Sequence, residues 1–67
     1  MKRFLIEAQR YVAGGHYQPA TYLVIAEHES DARIAVWKTG SAPPFVVTVL
    51  NPGDKAPPYA QKLTATT

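Results

Sequence analysis

At 67 residues the chain is long enough for one domain only, and a domain of that size buries about 60% of the surface its unfolded form exposes, so its stability is thin. It contains no cysteine, which excludes a disulfide framework and the thiolate ligands of a small structural zinc site; packing must hold the fold, with homodimer formation as one expected aid. Hydrophobic residues at 46%, charged residues at 18% and a net charge of +2 exclude a fully disordered segment and a densely basic nucleic-acid-binding tract.

In chain order, Phe4, Ile6, Ala8 and Val12 alternate with Arg3, Glu7 and Gln9, the period of a strand with one buried face. Leu5 and Tyr11 fall on its polar side and predict partial cover there. Ala13-Gly14-Gly15-His16-Tyr17-Gln18-Pro19 reads as a turn or longer loop, since it has two glycines able to take positive φ and a proline that cannot donate to a ladder. Thr21–Glu27 is β-branched and aromatic, and its unbroken run Tyr22–Ala26 predicts a central strand covered on both faces. Glu29–Gly40 decides the architecture. As a helix it has Ser30 as N-cap, Asp31 in the first turn, Lys38 near the end and Gly40 as terminator, with Ala32, Ala35, Val36 and Thr39 inward and Arg33, Ile34 and Trp37 on the flanks. As a strand, Arg33–Lys38 would instead alternate after a hairpin turn at Glu29–Ala32.

Ser41-Ala42-Pro43-Pro44 reads as a stiff connector. Phe45–Leu50 is a strand, closed by a turn at Asn51-Pro52-Gly53-Asp54. The predicted fold is α+β in the order β-β-α-β(-β), with one helix on a three- or four-stranded, mainly antiparallel sheet; the alternative is an all-β meander. Residues 1–55 form the domain. Residues 56–67 are a proline-containing C-terminal segment, with an edge strand around Tyr59, Gln61 and Leu63 and a tail from Thr64 that frays.

Chemistry-bearing clusters are sparse. The two histidines, His16 and His28, lack the i, i+4 spacing of a helical metal site, so neither a metal nor another cofactor is expected. Ser30 beside His28 and Asp31 has the residue types of a nucleophilic triad, but a capping serine accounts for it without the required geometry. Gly14-Gly15 opens no phosphate-binding helix. The chain is therefore not expected to be an enzyme. Its longest apolar run, Tyr22–Ala26, is far below the roughly 20 residues needed to cross a bilayer. Three apolar residues after Met1-Lys2-Arg3 are too few for a secretory signal. A cytoplasmic protein without a membrane partner is expected.

What remains is aromatic and basic surface. Tyr11, Tyr17, Tyr22, Trp37, Phe45 and Tyr59 cannot all lie inside so small a domain, and exposed aromatics with arginine dominate binding hot spots. The candidate partner-binding residues are Trp37, Arg33, Lys38, Ile34, Tyr17 and Arg10, with Arg33 one turn before Trp37 and placed to stack on it. The run from Tyr22 to Ala35, a strand leading through Ser-Asp-Ala into a helix, resembles small phage-encoded proteins, among them anti-CRISPR proteins of β-β-α-β-β type. That resemblance implies a non-catalytic inhibitor from a phage or mobile element, acting in the host cytoplasm by occupying a functional surface of a protein or ribonucleoprotein complex. The rival expectation is a small nucleic-acid-binding domain that stacks bases on sheet aromatics and pairs phosphates with Arg3, Arg10 and Lys38.

Overall fold

A computed structural model describes residues 1–65. The elements are β1 (Lys2–Val12), β2 (His16–Ala26), α1 (Glu29–Lys38), β3 (Ser41–Leu50) and β4 (Gln61–Thr64). The strands form one four-stranded sheet in the order β3-β1-β2-β4, with β1 antiparallel to β2 and to β3, and β4 parallel to β2. This is the predicted α+β domain, with the helix option realised. Because β2 and β3 both oppose β1, they run parallel to each other, and α1 is the crossover of a split β-α-β unit.

Alternation sets the layers. Phe4, Ile6 and Ala8 of β1 face Val24, Tyr22 and Ala20 of β2 in register, and α1 covers them with Ala32 and Val36, both fully buried. The small alanine lets the helix backbone lie close to the sheet. Phe45 and Val47 from β3 and Leu63 from β4 complete the layer at its two sides. The opposite face carries Leu5, Leu23 and Ile25 in the two central strands, with Val46 and Leu50 beside them in β3. No helix covers it. Leu23 is shielded by its neighbours, whereas Ile25 is 36% exposed, so β2 is not buried on both faces along its whole predicted run.

Several boundaries differ from expectation, each for a local reason. Residues 16–20 are strand, not loop: Gly14 and Gly15 both take positive φ (95° and 81°), which closes the hairpin in three residues, and Pro19 pairs opposite Gln9 without ending the strand. β3 starts at Ser41, and the prolines are taken up where its register against β1 shifts between Glu7 and Gln9, a bulged edge position of the kind proline tolerates. The helix begins at Glu29 with His28 as N-cap, and His28 makes no side-chain capping bond. Ser30 therefore stands in the first turn and is not the cap. Thr64 belongs to β4 and Ala65 is 8% exposed, with its amide bonded to the Ile25 carbonyl at 2.9 Å; these two do not fray, and the rest of the predicted tail, 66–67, lies outside the described residues.

The helix C-terminus is tied to the sheet by hydroxyls. Tyr22, 1% exposed, places its phenol oxygen 2.5 Å from Ser41 Oγ. Thr39 Oγ1 lies 3.1 Å from Ser41 Oγ, 3.3 Å from the phenol oxygen and 2.6 Å from the Val36 carbonyl. Tyr22 and Ser41 share a hydrogen bond between their hydroxyls, and Thr39 Oγ1 donates to the Val36 carbonyl, which also accepts the Thr39 amide at 3.1 Å. Gly40, at φ 91°, turns the chain between Thr39 and Ser41 and donates its amide to the Trp37 carbonyl at 3.0 Å.

Tyr22→Phe removes the phenol hydroxyl and leaves Ser41 Oγ, which is buried, short of a partner; urea unfolding is expected to show a loss of about 1–2 kcal/mol. Because the cap position is His28, His28→Ser is expected to raise stability by about 0.5–1 kcal/mol and Ser30→Ala to change it by less than about 0.5 kcal/mol, measured by the same titration.

Candidate functional site

The outer side of α1 follows from its spacing. With Ala32 and Val36 against the sheet, Ile34 and Trp37, three residues apart, fall on the opposite ridge. Trp37 is 65% exposed and Ile34 is 49% exposed. A tryptophan and an isoleucine side by side on the solvent ridge of a short helix form an apolar surface that folding does not require. Lys38 stands beside them, above a groove of about 350 Å³ between α1 and β4 that Ile34, Ala35 and Leu63 also line. Asp31 closes the groove, and its Oδ2 is buried without a hydrogen-bond partner among the described residues.

Arg33 does not stack on Trp37. Its guanidinium turns back one helical turn, with Nε and Nη2 each 3.0 Å from Glu29 Oε2. Attraction to a carboxylate at i−4 competes with the ring at i+4, and the carboxylate wins. Both side chains of this pair are about half exposed, so it contributes roughly 0.3–0.5 kcal/mol to the helix and leaves Trp37 bare.

The second exposed region is a hairpin arm. β1 and β2 are each 11 residues long, about 36 Å, whereas α1, with 10 residues, covers only about 15 Å of that length. Beyond Ala8 and Ala20 the two strands leave the helix behind, and past Arg10, the last residue of β1 paired with β3, they run on alone. From Gln9 to Pro19 every side chain is exposed except Val12, which is half-buried, and none is acidic. Tyr11 and Tyr17 are cross-strand partners on the face away from α1, their ring centroids 5.5 Å apart and their planes at 73°. Such an edge-to-face pair adds about 0.5–1.5 kcal/mol to its hairpin. Arg10 lies on the other face, between Gln18 and Ser41 in register.

The structure thus divides the six sequence-predicted residues. Trp37, Ile34, Lys38 and Arg33 are gathered on α1; Arg10 is on the helix-side face of the arm; Tyr17 is on the opposite face of the sheet. Tyr11, Leu5, Ile25 and Val46 were not among the predicted site residues. For Leu5 and Tyr11 the signal was present as apolar residues at polar-phase positions of β1, and register was needed to align them with Leu23 and Tyr17 of β2. No hydrogen bond joins any two of His28, Ser30 and Asp31 among the described residues. No group of three or more His, Asp or Glu side chains comes together there as a metal-binding set, and no described helix is long and apolar enough to cross a membrane. No protein-family model, curated protein or solved structure matches the chain.

Since Trp37 contributes little to the core, Trp37→Ala is expected to lower unfolding stability by less than about 1 kcal/mol. A loss of about 3 kcal/mol or more, as for a buried aromatic, would place it in the core instead.

Proposed function

We propose that this protein is a non-catalytic protein-binding module that acts by occupying a functional surface of another protein or ribonucleoprotein complex. The observation that carries this reading is the Ile34–Trp37 ridge. Apolar surface of that kind lowers solubility unless a partner covers it, and tryptophan is the side chain most often found as an interface anchor. Lys38 at its margin supplies a charge for steering and register, and Arg33 a guanidinium already oriented by Glu29. In this mode of action the module resembles the small phage-encoded inhibitors whose size and element order it shares, and a host cytoplasmic complex is the matching target.

A second reading is favoured by one specific feature. The arm has two exposed tyrosines, one arginine, one histidine, two glutamines and no acid between Gln9 and Pro19, a composition that suits stacking on bases and contact with phosphates. The two readings use different faces of the molecule and differ in salt response, because phosphate contacts release counterions and apolar anchors do not.

Capture from a host lysate with immobilised wild-type, Trp37→Ala, Ile34→Ala and Tyr17→Ala proteins separates them. A protein retained by wild type and Tyr17→Ala but lost with both helix variants is the expected result. Against that purified protein, Trp37→Ala is expected to weaken binding about 30-fold or more, roughly 2 kcal/mol. Equal retention by Trp37→Ala, together with micromolar binding of labelled oligothymidine that falls steeply with salt and with Tyr17→Ala, would overturn the protein-binding reading in favour of the nucleic-acid one.

A further inference from the structure

The two edges of the sheet are protected very differently. An edge strand presents a row of unpaired N–H and C=O groups, and soluble proteins blunt it with a short strand, a lysine, a proline or a cover. β4 has four residues and carries Lys62. β3 has Pro43 and Pro44 in its first half. Its second half, Phe45-Val-Val-Thr-Val-Leu50, has none of these: it is uncharged and β-branched, and among the described residues only β1 pairs with it. Apolar side chains flank this edge on both faces, Val46 at 57% exposure on the open face and Val49 at 50% on the helix side.

We propose that the outer edge of β3 pairs antiparallel with β3 of a second copy of this chain, joining two four-stranded sheets into one continuous sheet. Symmetry selects this occupant. A two-fold axis perpendicular to the sheet keeps each face continuous, so open-face residues meet open-face residues and helix-side residues meet helix-side residues. One register sets Thr48 opposite Thr48, Val46 opposite Leu50 and Val47 opposite Val49. Its neighbour sets Val47 opposite Val47, Val46 opposite Thr48 and Phe45 opposite Val49. Either makes only apolar and threonine cross-strand pairs and brings no like charges together. A foreign strand would have to carry that pattern; a second copy has it by identity. The prolines end the ladder on one side and the turn at Asn51 ends it on the other. Both helices remain on the same side of the joined sheet with Ile34 and Trp37 uncovered, so the pairing neither requires nor blocks binding at the helix ridge.

Sedimentation velocity from micromolar to millimolar concentration tests this directly. The expected result is a concentration-dependent dimer for the wild type and a monomer throughout for the Val46→Lys/Val49→Lys variant, with an unchanged far-ultraviolet circular dichroism spectrum. A cross-link provides a second measurement that does not depend on that variant folding. The chain has no cysteine, and residues directly opposite in an antiparallel pair have Cα atoms about 4.5–5.5 Å apart, within disulfide reach. Thr48→Cys or Val47→Cys is therefore expected to oxidise to a covalent dimer at least 10-fold faster than Ser30→Cys on the far side of α1, by the effective concentration of a paired thiol. A wild type that stays monomeric at millimolar concentration overturns the proposal. So does a dimer that the double-lysine variant retains, or cross-linking no faster at Thr48 and Val47 than at Ser30.

Discussion

The phenol hydroxyl of Tyr22 is the constraint on which the layer arrangement depends. Its ring is the largest fully buried side chain in the molecule, and a buried phenol has to find hydrogen-bonding partners or forfeit the stability its burial brings. Both partners come from the short link between α1 and β3, Thr39 on one side of Gly40 and Ser41 on the other. That single requirement sets the depth at which the helix ends, the direction in which the chain leaves it, and the point at which β3 joins β1. The positive φ of Gly40 then serves a tertiary purpose as well as a local one, since it lets the hydroxyl side chains on either side of it reach the same buried oxygen.

With the helix pinned at that end, its ten residues cover only one end of a much longer hairpin. The consequences appear as surface. On one side of the sheet the core is sealed by residues as small as Ala32, so the helix sits close and turns its bulky Ile34 and Trp37 outward. On the other side Leu5, Leu23, Ile25 and Val46 form an apolar field with no described helix above it, separated from the Tyr11–Tyr17 pair by the Glu7–Thr21 and Gln9–Pro19 pairs. The molecule, 39 × 25 × 16 Å in extent, is flat for its size, and much of its apolar content is displayed where a larger domain would bury it.

Periodicity made most of the scaffold legible. The alternation in β1 named Phe4, Ile6 and Ala8 as core, and the helical spacing of Ala32, Ala35, Val36 and Thr39 identified the inward face that the structure shows. Local propensity failed where long-range pairing overrode it. Pro19 and the Pro43-Pro44 pair looked like strand breakers, but each lies where the missing amide is not needed by a neighbouring strand or where the register shifts. Ser30 is a better cap than His28 by side chain, yet the chain leaves β2 at Ala26 and must begin its helix early enough for Val36 and Thr39 to reach Tyr22. The candidate site was legible in part for the same reason: Ile34 and Trp37 follow from helix spacing, whereas the alignment of Leu5 and Tyr11 with Leu23 and Tyr17 depends on hairpin register, which the loop reading of residues 13–19 concealed. The Arg33–Trp37 stack failed because Glu29 turned out to be helical, which placed a carboxylate in competition for the guanidinium.

β4 has a further consequence, one that concerns time. β4 pairs with β2, a strand completed far earlier in the chain, and the segment 51–60 must cross the width of the sheet to bring it there, stepping back only from the level of Ile25, where β3 ends, to that of Tyr22, where β4 begins. β1, β2, α1 and β3 precede it in the chain and pair among themselves without it. Until residues 61–65 dock, the Tyr22–Ile25 edge stands open and the core lacks Leu63 and Ala65. For that interval the folding protein has two open sheet edges instead of one, and it is most exposed to mispairing then.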